Sequence, residues 1–496
     1  MLNTYPHKWP AFIGIALLSF GCYLDYTVVN VALPTIQKEL QTDLSQLQWV
    51  MNIYFLALCV LAAIMGRCGD LYGRRRVFYL GVVIFALSSL LAGFAPNIHW
   101  LILGRLLQGA GAAIVFPLGP SLLPEAFPPN QRDKAIGWLG SLGGIALALG
   151  PVIGGLIVTY WGWRWIFFIN IPIIILGFLF AKSSIKESRA ASKQALDYKG
   201  MLLLAIMMGG VVLGLLHSAS AGWINTITWL YLVIGVLAGV VLVKVEQRIE
   251  NPLIDFSDFK NLIFYSGAVL SILPGMLSAS ALFFDPLYLQ IIRGETVQTS
   301  GIVLFAIPIA VLVIALFVGW LIEKLGIINT IVLGLALGAA ACLLQAFFSE
   351  AIPLWYIIIA FLCLGSLWAM GNTVPLIAAQ GVVNPERKSV ATGTMITMFN
   401  VGGSLGLALA VMIYHLSAMH RLTQQAHNFS YTEMAKLQQW VINPGHLLQE
   451  TQHELHQVFN AVFIHGFTMV MLFLFALSLV LILSILGWRF VLGKKT

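Results

Sequence analysis

Two charged residues stand where charge is expensive. The stretch SFGCYLDYTVVNVALP, Ser19–Pro34, is an almost continuous apolar run with one carboxylate, Asp25, in its middle. A second run, LILGRLLQGAGAA from Leu101 to Ala113, carries one guanidinium, Arg105. Burial disfavours the ionised carboxylate and a nearby guanidinium favours it. An acid held between those opposing pulls takes up or releases a proton as water or a cation alters the balance. A permanent ion pair that only fixes packing is the alternative. Asp285, in FFDPLYLQ, is the second candidate. Facing an interior cavity, it is a cation contact or a second proton site; at the outer end of its segment, it is an ordinary solvated carboxylate.

The segments that hold these residues are membrane spans. Of the 496 residues, 59% are hydrophobic and only 9% charged, and the mean hydropathy is +0.90. A soluble chain carries about 25% charged residues, so this one lacks the polar surface to cover itself in water. Apolar stretches of about 18 residues or more, enough to cross a hydrocarbon core, recur throughout. Fourteen are expected: roughly 10–34, 47–66, 77–95, 99–123, 135–160, 164–181, 200–218, 225–244, 262–284, 299–322, 327–347, 353–378, 390–415 and 460–487. The first is too long for a signal-peptide core and reads as a retained span.

Basic residues test that reading. With the N-terminus cytoplasmic, inner segments carry 21 of the 27 Lys and Arg, outer segments five, and Arg105 lies within a span. This positive-inside bias fits an even number of spans with both ends inside. It also accounts for the net charge of +7 without a nucleic-acid partner. Five cysteines without a CxxC pair suggest neither a disulfide framework nor a zinc site.

The chain repeats itself. GRCGDLYG (Gly66–Gly73) and GWLIEKLG (Gly319–Gly326) share a G-x-x-x-acid-x-x-G spacing at an offset of 253 residues, and Arg132 and Arg387 recur at 255. Parallel repeats of this kind mark transporters. The expected organisation is an N-terminal six-helix bundle (1–181), linkers with a two-helix insert (182–260, helices about 200–244) and a C-terminal six-helix bundle (261–496) with an outer loop at 416–459.

The inner loop after the second span offers Gly66, Asp70, Gly73, Arg75 and Arg76 as a conformational latch, with Asp70 at the positive end of a neighbouring helix dipole. A plain positive-inside anchor is the alternative. Gly319, Glu323 and Gly326 are its second-half copy. In LGPVIGG, Gly150, Pro151, Gly154 and Gly155 suit close helix approach and bending. They form either a packing interface or a pliable seam on which two halves rock.

These motifs, with R-x-x-Q-G-x-G-A-A and WRWIFFINIP (Trp163–Pro172), come in the order seen in the major facilitator superfamily. The chain resembles its fourteen-span drug:proton antiporter family, strongly over residues 24–172 and more loosely beyond. The resemblance implies two six-helix bundles and export of amphipathic small molecules against protons. It further implies a multi-pass protein of a bacterial cell (inner) membrane, in contact with its lipids. It makes Gly150, Pro151, Gly154 and Gly155 the mark of an exporter and places Asp70 as the cap of span thirteen. Leu71, where a basic residue is usual, Asp285, where an apolar one is, and the lack of an acid in span thirteen depart from the pattern. A dedicated exporter of one metabolite is the second reading, and a non-transporting receptor or scaffold the third. No nucleophile–base pair, nucleotide loop or metal cluster points to an enzyme or a cofactor. Without a phosphate-binding loop, ATP is not the direct energy source.

His217 and His465 lie in or near spans and read as packed or interfacial residues. The 416–459 segment holds His420, His427, His446, His453 and His456. HELH there is a weak metal signal without a third ligand. YTEMAKLQQWV (Tyr431–Val441) reads as an amphipathic helix, a surface cap or a docking point for a periplasmic adaptor.

Overall fold

A computed structural model describes residues 8–128, 131–185, 187, 197–221, 223–249, 252, 254, 256–383, 388–424, 429–442 and 453–493. The fold is all-helical. Helices α1 (Lys8–Val28), α2 (Leu33–Leu40), α3 (Leu44–Tyr72), α4 (Arg74–Gly93), α5 (Ile98–Ala126), α6 (Arg132–Trp161), α7 (Trp165–Phe168) and α8 (Asn170–Lys182) pack mainly on one another. A hairpin follows, α9 (Tyr198–Ala221) and α10 (Thr226–Glu246). The second half comprises α11 (Leu262–Leu287), α12 (Val297–Leu304), α13 (Ala306–Leu325), α14 (Ile327–Ala346), α15 (Leu354–Val382), α16 (Lys388–Gln424), α17 (Tyr431–Ile442) and α18 (His453–Gly493).

Among the described residues, twelve helices are long and apolar enough to cross a membrane. The expected second and fifth spans fall on α3 and α6.

Several expected boundaries move. The first span does not stop at Pro34: α1 ends at Val28, a 3-10 turn covers Asn30–Ala32, and Pro34 opens α2. A proline has no N–H to lose in a first helical turn, so it restarts the helix. The 416–459 segment is not all loop. Helix α16 continues to Gln424 and α18 begins at His453, because helix persists past the point where hydropathy fades. The amphipathic helix expected at 431–441 is α17, which packs Leu437, Trp440 and Val441 into the core.

The repeat is visible in backbone geometry. Gly73 (φ 111°) ends α3, and Gly326 (φ 78°) ends α13 at the matching position. Each N–H closes the last turn, to the Gly69 and Ile322 carbonyls, both at 2.9 Å. Each then starts the next helix at once. Positive φ favours glycine, which explains why the repeat keeps that residue.

The two halves meet along α3 with α16 and along α6 with α12 and α13. The α9–α10 hairpin lies across the first of these seams. Its Leu204, Met208 and Leu242 pack with Leu56 of α3 and Met398 and Val401 of α16, and Val212 and Leu215 with Trp49 and Met412.

Candidate functional site

Helix α1 delivers Asp25 and helix α5 delivers Arg105 and Gln108 to one point inside the first half. Arg105 Nη1 lies 2.5 Å from Asp25 Oδ2, and the two side chains are 1% and 0% exposed. Arg105 therefore does not snorkel towards the interface; it is neutralised in place. Gln108, one turn along α5, donates to Asp25 Oδ1 at 3.1 Å and accepts from Arg105 Nη1 at 3.0 Å. Asn170, the first residue of α8, donates to the same Asp25 oxygen at 3.1 Å. Ser89 of α4 accepts from Gln108 at 2.9 Å and Asn170 at 3.3 Å.

Helix α3 closes the other side. Arg105 Nε donates to the Val50 carbonyl at 3.0 Å, and the guanidinium stands 4.3 Å from the Tyr54 ring centre. Arg105 Nη2 and the Tyr54 hydroxyl have no hydrogen-bond partner. Five helices thus converge on one buried charge pair. Removing one member of such a pair costs about 3–5 kcal/mol because the other charge stays buried and unpaired. Of this shell the sequence pointed to Asp25 and Arg105. Gln108 was visible only as a polar spot, while Asn170, Ser89, Val50 and Tyr54 were missed. A lone asparagine in WRWIFFINIP, a run otherwise apolar from Ile166 onwards, was the available signal.

Asp285 sits differently from the solvated position at a span end. It is 0% exposed, because α11 runs to Leu287 and a π-helical turn, Tyr288–Ile292, carries the chain on past the acid. Neither carboxyl oxygen has a hydrogen-bond partner. Tyr288, one turn on, stacks with Phe348 at 5.0 Å and Phe467 at 5.8 Å, and donates to the Ser349 carbonyl.

The GPxxGG stretch lies where α6 touches both halves. Gly150 packs against Thr27 and Val28, and Gly154 against Val28 and Val31. A Cβ on Gly155 would stand 3.0 Å from the Val297 carbonyl oxygen of α12, and one on Gly301 would strike the Pro151 carbonyl. Thr27 also donates to the Leu147 carbonyl at 3.1 Å. Nearby, Gln290 donates to the Val31 carbonyl at 3.0 Å, and Ser404 to Asn52 Oδ1 at 2.7 Å, both across the halves.

In the loop after α3, Gly66 abuts Pro117, and the Asp70 side chain lies outside the described residues. Arg75 donates through its backbone N–H to Glu187 at 3.1 Å and through Nη2 to the Lys182 carbonyl at 2.8 Å. Arg76 Nε lies 3.8 Å from Glu187. The loop's arginines thus clamp the end of α8 within their own half. Gly319 and Gly326 face open space, and Glu323 is exposed. His217 Nδ1 pairs with Thr228 at 3.0 Å within the hairpin, and His465 of α18 borders a surface cleft with Arg421 and Glu350. In the outer segment, His420 sits 3.0 Å from Gln424 and His456 packs edge-on to Trp440. His427 and His446 lie outside the described residues, as does the His453 side chain.

The sequence pattern of the Major Facilitator Superfamily matches residues 15–200 and 198–407, and the chain belongs to that family. It is therefore a multi-pass membrane transporter rather than an enzyme. The chain is 32% identical over 407 residues to the tetracenomycin C resistance and export protein of Streptomyces glaucescens, covering 81% of this chain and 75% of that one. It is 30% identical to the puromycin resistance protein pur8 of Streptomyces alboniger, covering 82% and 81%. To the riboflavin transporter RibZ of Clostridioides difficile it is 29% identical, covering 88% and 94%. A bacterial homologue of the human lysosomal transporter Spinster, solved inward-facing and unoccupied, shares the fold, with a TM-score of 0.70 at 16% identity over 97% of this chain and 98% of that one.

Proposed function

We propose that this chain is a proton-coupled antiporter that exports amphipathic small molecules by alternating access, with Asp25 and Arg105 as the coupling pair. In this reading α3 and α6 also span, giving fourteen helices with both ends cytoplasmic, in a bacterial inner membrane. The two bundles, 1–181 and 261–496, rock about α6, with the α9–α10 hairpin as an insert. Gly66, Asp70, Gly73, Arg75 and Arg76 act as the latch, while exposed Glu323 makes its second-half copy the weaker one.

The observation that carries the proposal is the buried Asp25–Arg105 pair and its placement two residues before Thr27. Protonation of Asp25 removes the charge that offsets Arg105, leaving a guanidinium in a dry site, which is costly. That cost is relieved by admitting water, which requires α1 to move. Helix α1 bears on Gly150 and Gly154, and the same stretch of α6 bears on α12. A change of charge at Asp25 is therefore delivered, through packed backbone, to the seam between the halves.

The resistance and export relatives support drug-like cargo. A second reading, export of one metabolite, is favoured by the riboflavin transporter among the relatives and by the absence of an acid in span thirteen. Everted vesicles with and without a pH gradient, given a panel of compounds, separate the two by the number of substrates moved. Asp25→Asn is expected to abolish gradient-driven export. Export that continues unaltered in that variant sinks the coupling role, and wild-type export that ignores the gradient sinks antiport.

A further inference from the structure

Asp285 is a titratable group that the Asp25 mechanism does not use. It is fully buried, and neither oxygen meets a donor. An ionised carboxylate in that position would forgo solvation with nothing in return, a penalty that ordinarily neutralises the group instead. The cation that reaches Tyr288, Arg293, is itself engaged with the Ile352 carbonyl and Glu295. On its own helix the nearest titratable group is Tyr288, whose hydroxyl is committed to the Ser349 carbonyl. Helix α14 contributes the thiol of Cys342, and its Gln345 has an unpartnered carbonyl oxygen. Helix α16 contributes Tyr414, which packs on Phe284, and α18 contributes Phe467.

What the site lacks in donors it supplies in acceptors. Pro286 has no N–H to give to the carbonyl of Leu282, one turn back on α11, so that carbonyl has lost its ordinary helical partner. Residues three apart on a helix are neighbours, which puts Asp285 beside it. A protonated carboxyl has one O–H to donate, and the freed carbonyl is the acceptor that such a group needs. The π-helical turn that follows is a local departure of the kind often found at functional sites.

We infer that Asp285 is a proton-binding site of the second half, neutral in this conformation and discharged when that half is wetted. It takes a proton from water and returns it to water; no other group is consumed. As a contributor to proton–substrate coupling it rests on the antiport reading, whereas its protonation does not.

Infrared difference spectra of the full chain in lipid, with isotope-labelled aspartate, provide the test. A label-sensitive stretch of a protonated carboxyl is expected in wild type and in Asp25→Asn, to be lost in Asp285→Asn, and to lose its label sensitivity in Asp285→Glu. The band should bleach on alkaline titration, and proton release per substrate should fall in Asp285→Asn. A band absent from Asp25→Asn, surviving when Asp285→Asn is added to that variant, or unmoved by alkali and turnover would overturn the inference. Should wild type export without regard to the pH gradient, antiport fails, and the titration of the band still decides whether Asp285 binds a proton. The Asp285→Glu variant keeps the test valid if Asp285→Asn does not fold.

Discussion

Asp25 and Asp285 are both shut away from water, yet the first half surrounds its acid with a guanidinium and two side-chain amides, while the second offers no donor at all. The donors compensate a negative charge at Asp25. At Asp285 neither oxygen has such a partner. The chain is built on a repeat, but the repeat was not used to build the same site twice: it preserved the Gly73 and Gly326 turns and let the interior chemistry diverge. Symmetry in such a protein is a property of its backbone, and asymmetry resides in a few polar side chains.

The sharpest way to break this contrast is to neutralise each acid in turn. Asp25→Asn strands Arg105 and is expected to lower stability by about 3–5 kcal/mol. Asp285→Asn replaces one neutral group by another and is expected to change stability by under about 1 kcal/mol. Thermal unfolding of the two variants in detergent measures both, and equal losses would dissolve the distinction. An intermediate effect is expected at Asn170. Its replacement by alanine removes one hydrogen bond to a charged group, worth about 1.5–3 kcal/mol, and should slow gradient-driven export. A smaller effect than at Asn170 is expected of Tyr288→Phe, which loses only the bond to the Ser349 carbonyl, about 0.5–1.5 kcal/mol. It should leave the Asp285 carboxyl band in place, and a displaced band would make Tyr288 part of the proton site.

The charge pair was legible in the sequence because an Asp and an Arg inside apolar runs are conspicuous and must find each other or leave the membrane. Their neutral partners were not. Ser89 and Asn170 are tolerated in many spans, and the Val50 carbonyl carries no sequence signal. The depth of Asp285 was misjudged for a related reason. The apolar run was read as ending at 284, whereas helix and π-helix continue to Ile292, and a proline after the acid looks like a boundary when read as letters. The same limit affected the ends of α16 and α18. Hydropathy reports where lipid is, and says little about how far a helix runs beyond it.

The α9–α10 hairpin, finally, is placed where a bearing would be. It rests on α3 of one half and α16 of the other, so any rocking of the halves makes it slip against at least one of them. The sliding surface is rich in Met207, Met208, Met398 and Met412, whose unbranched, polarisable thioethers fill changing gaps at low cost. Branched Leu204, Leu242, Val212 and Leu215 share that surface, so pliable and stiff side chains are interleaved along it.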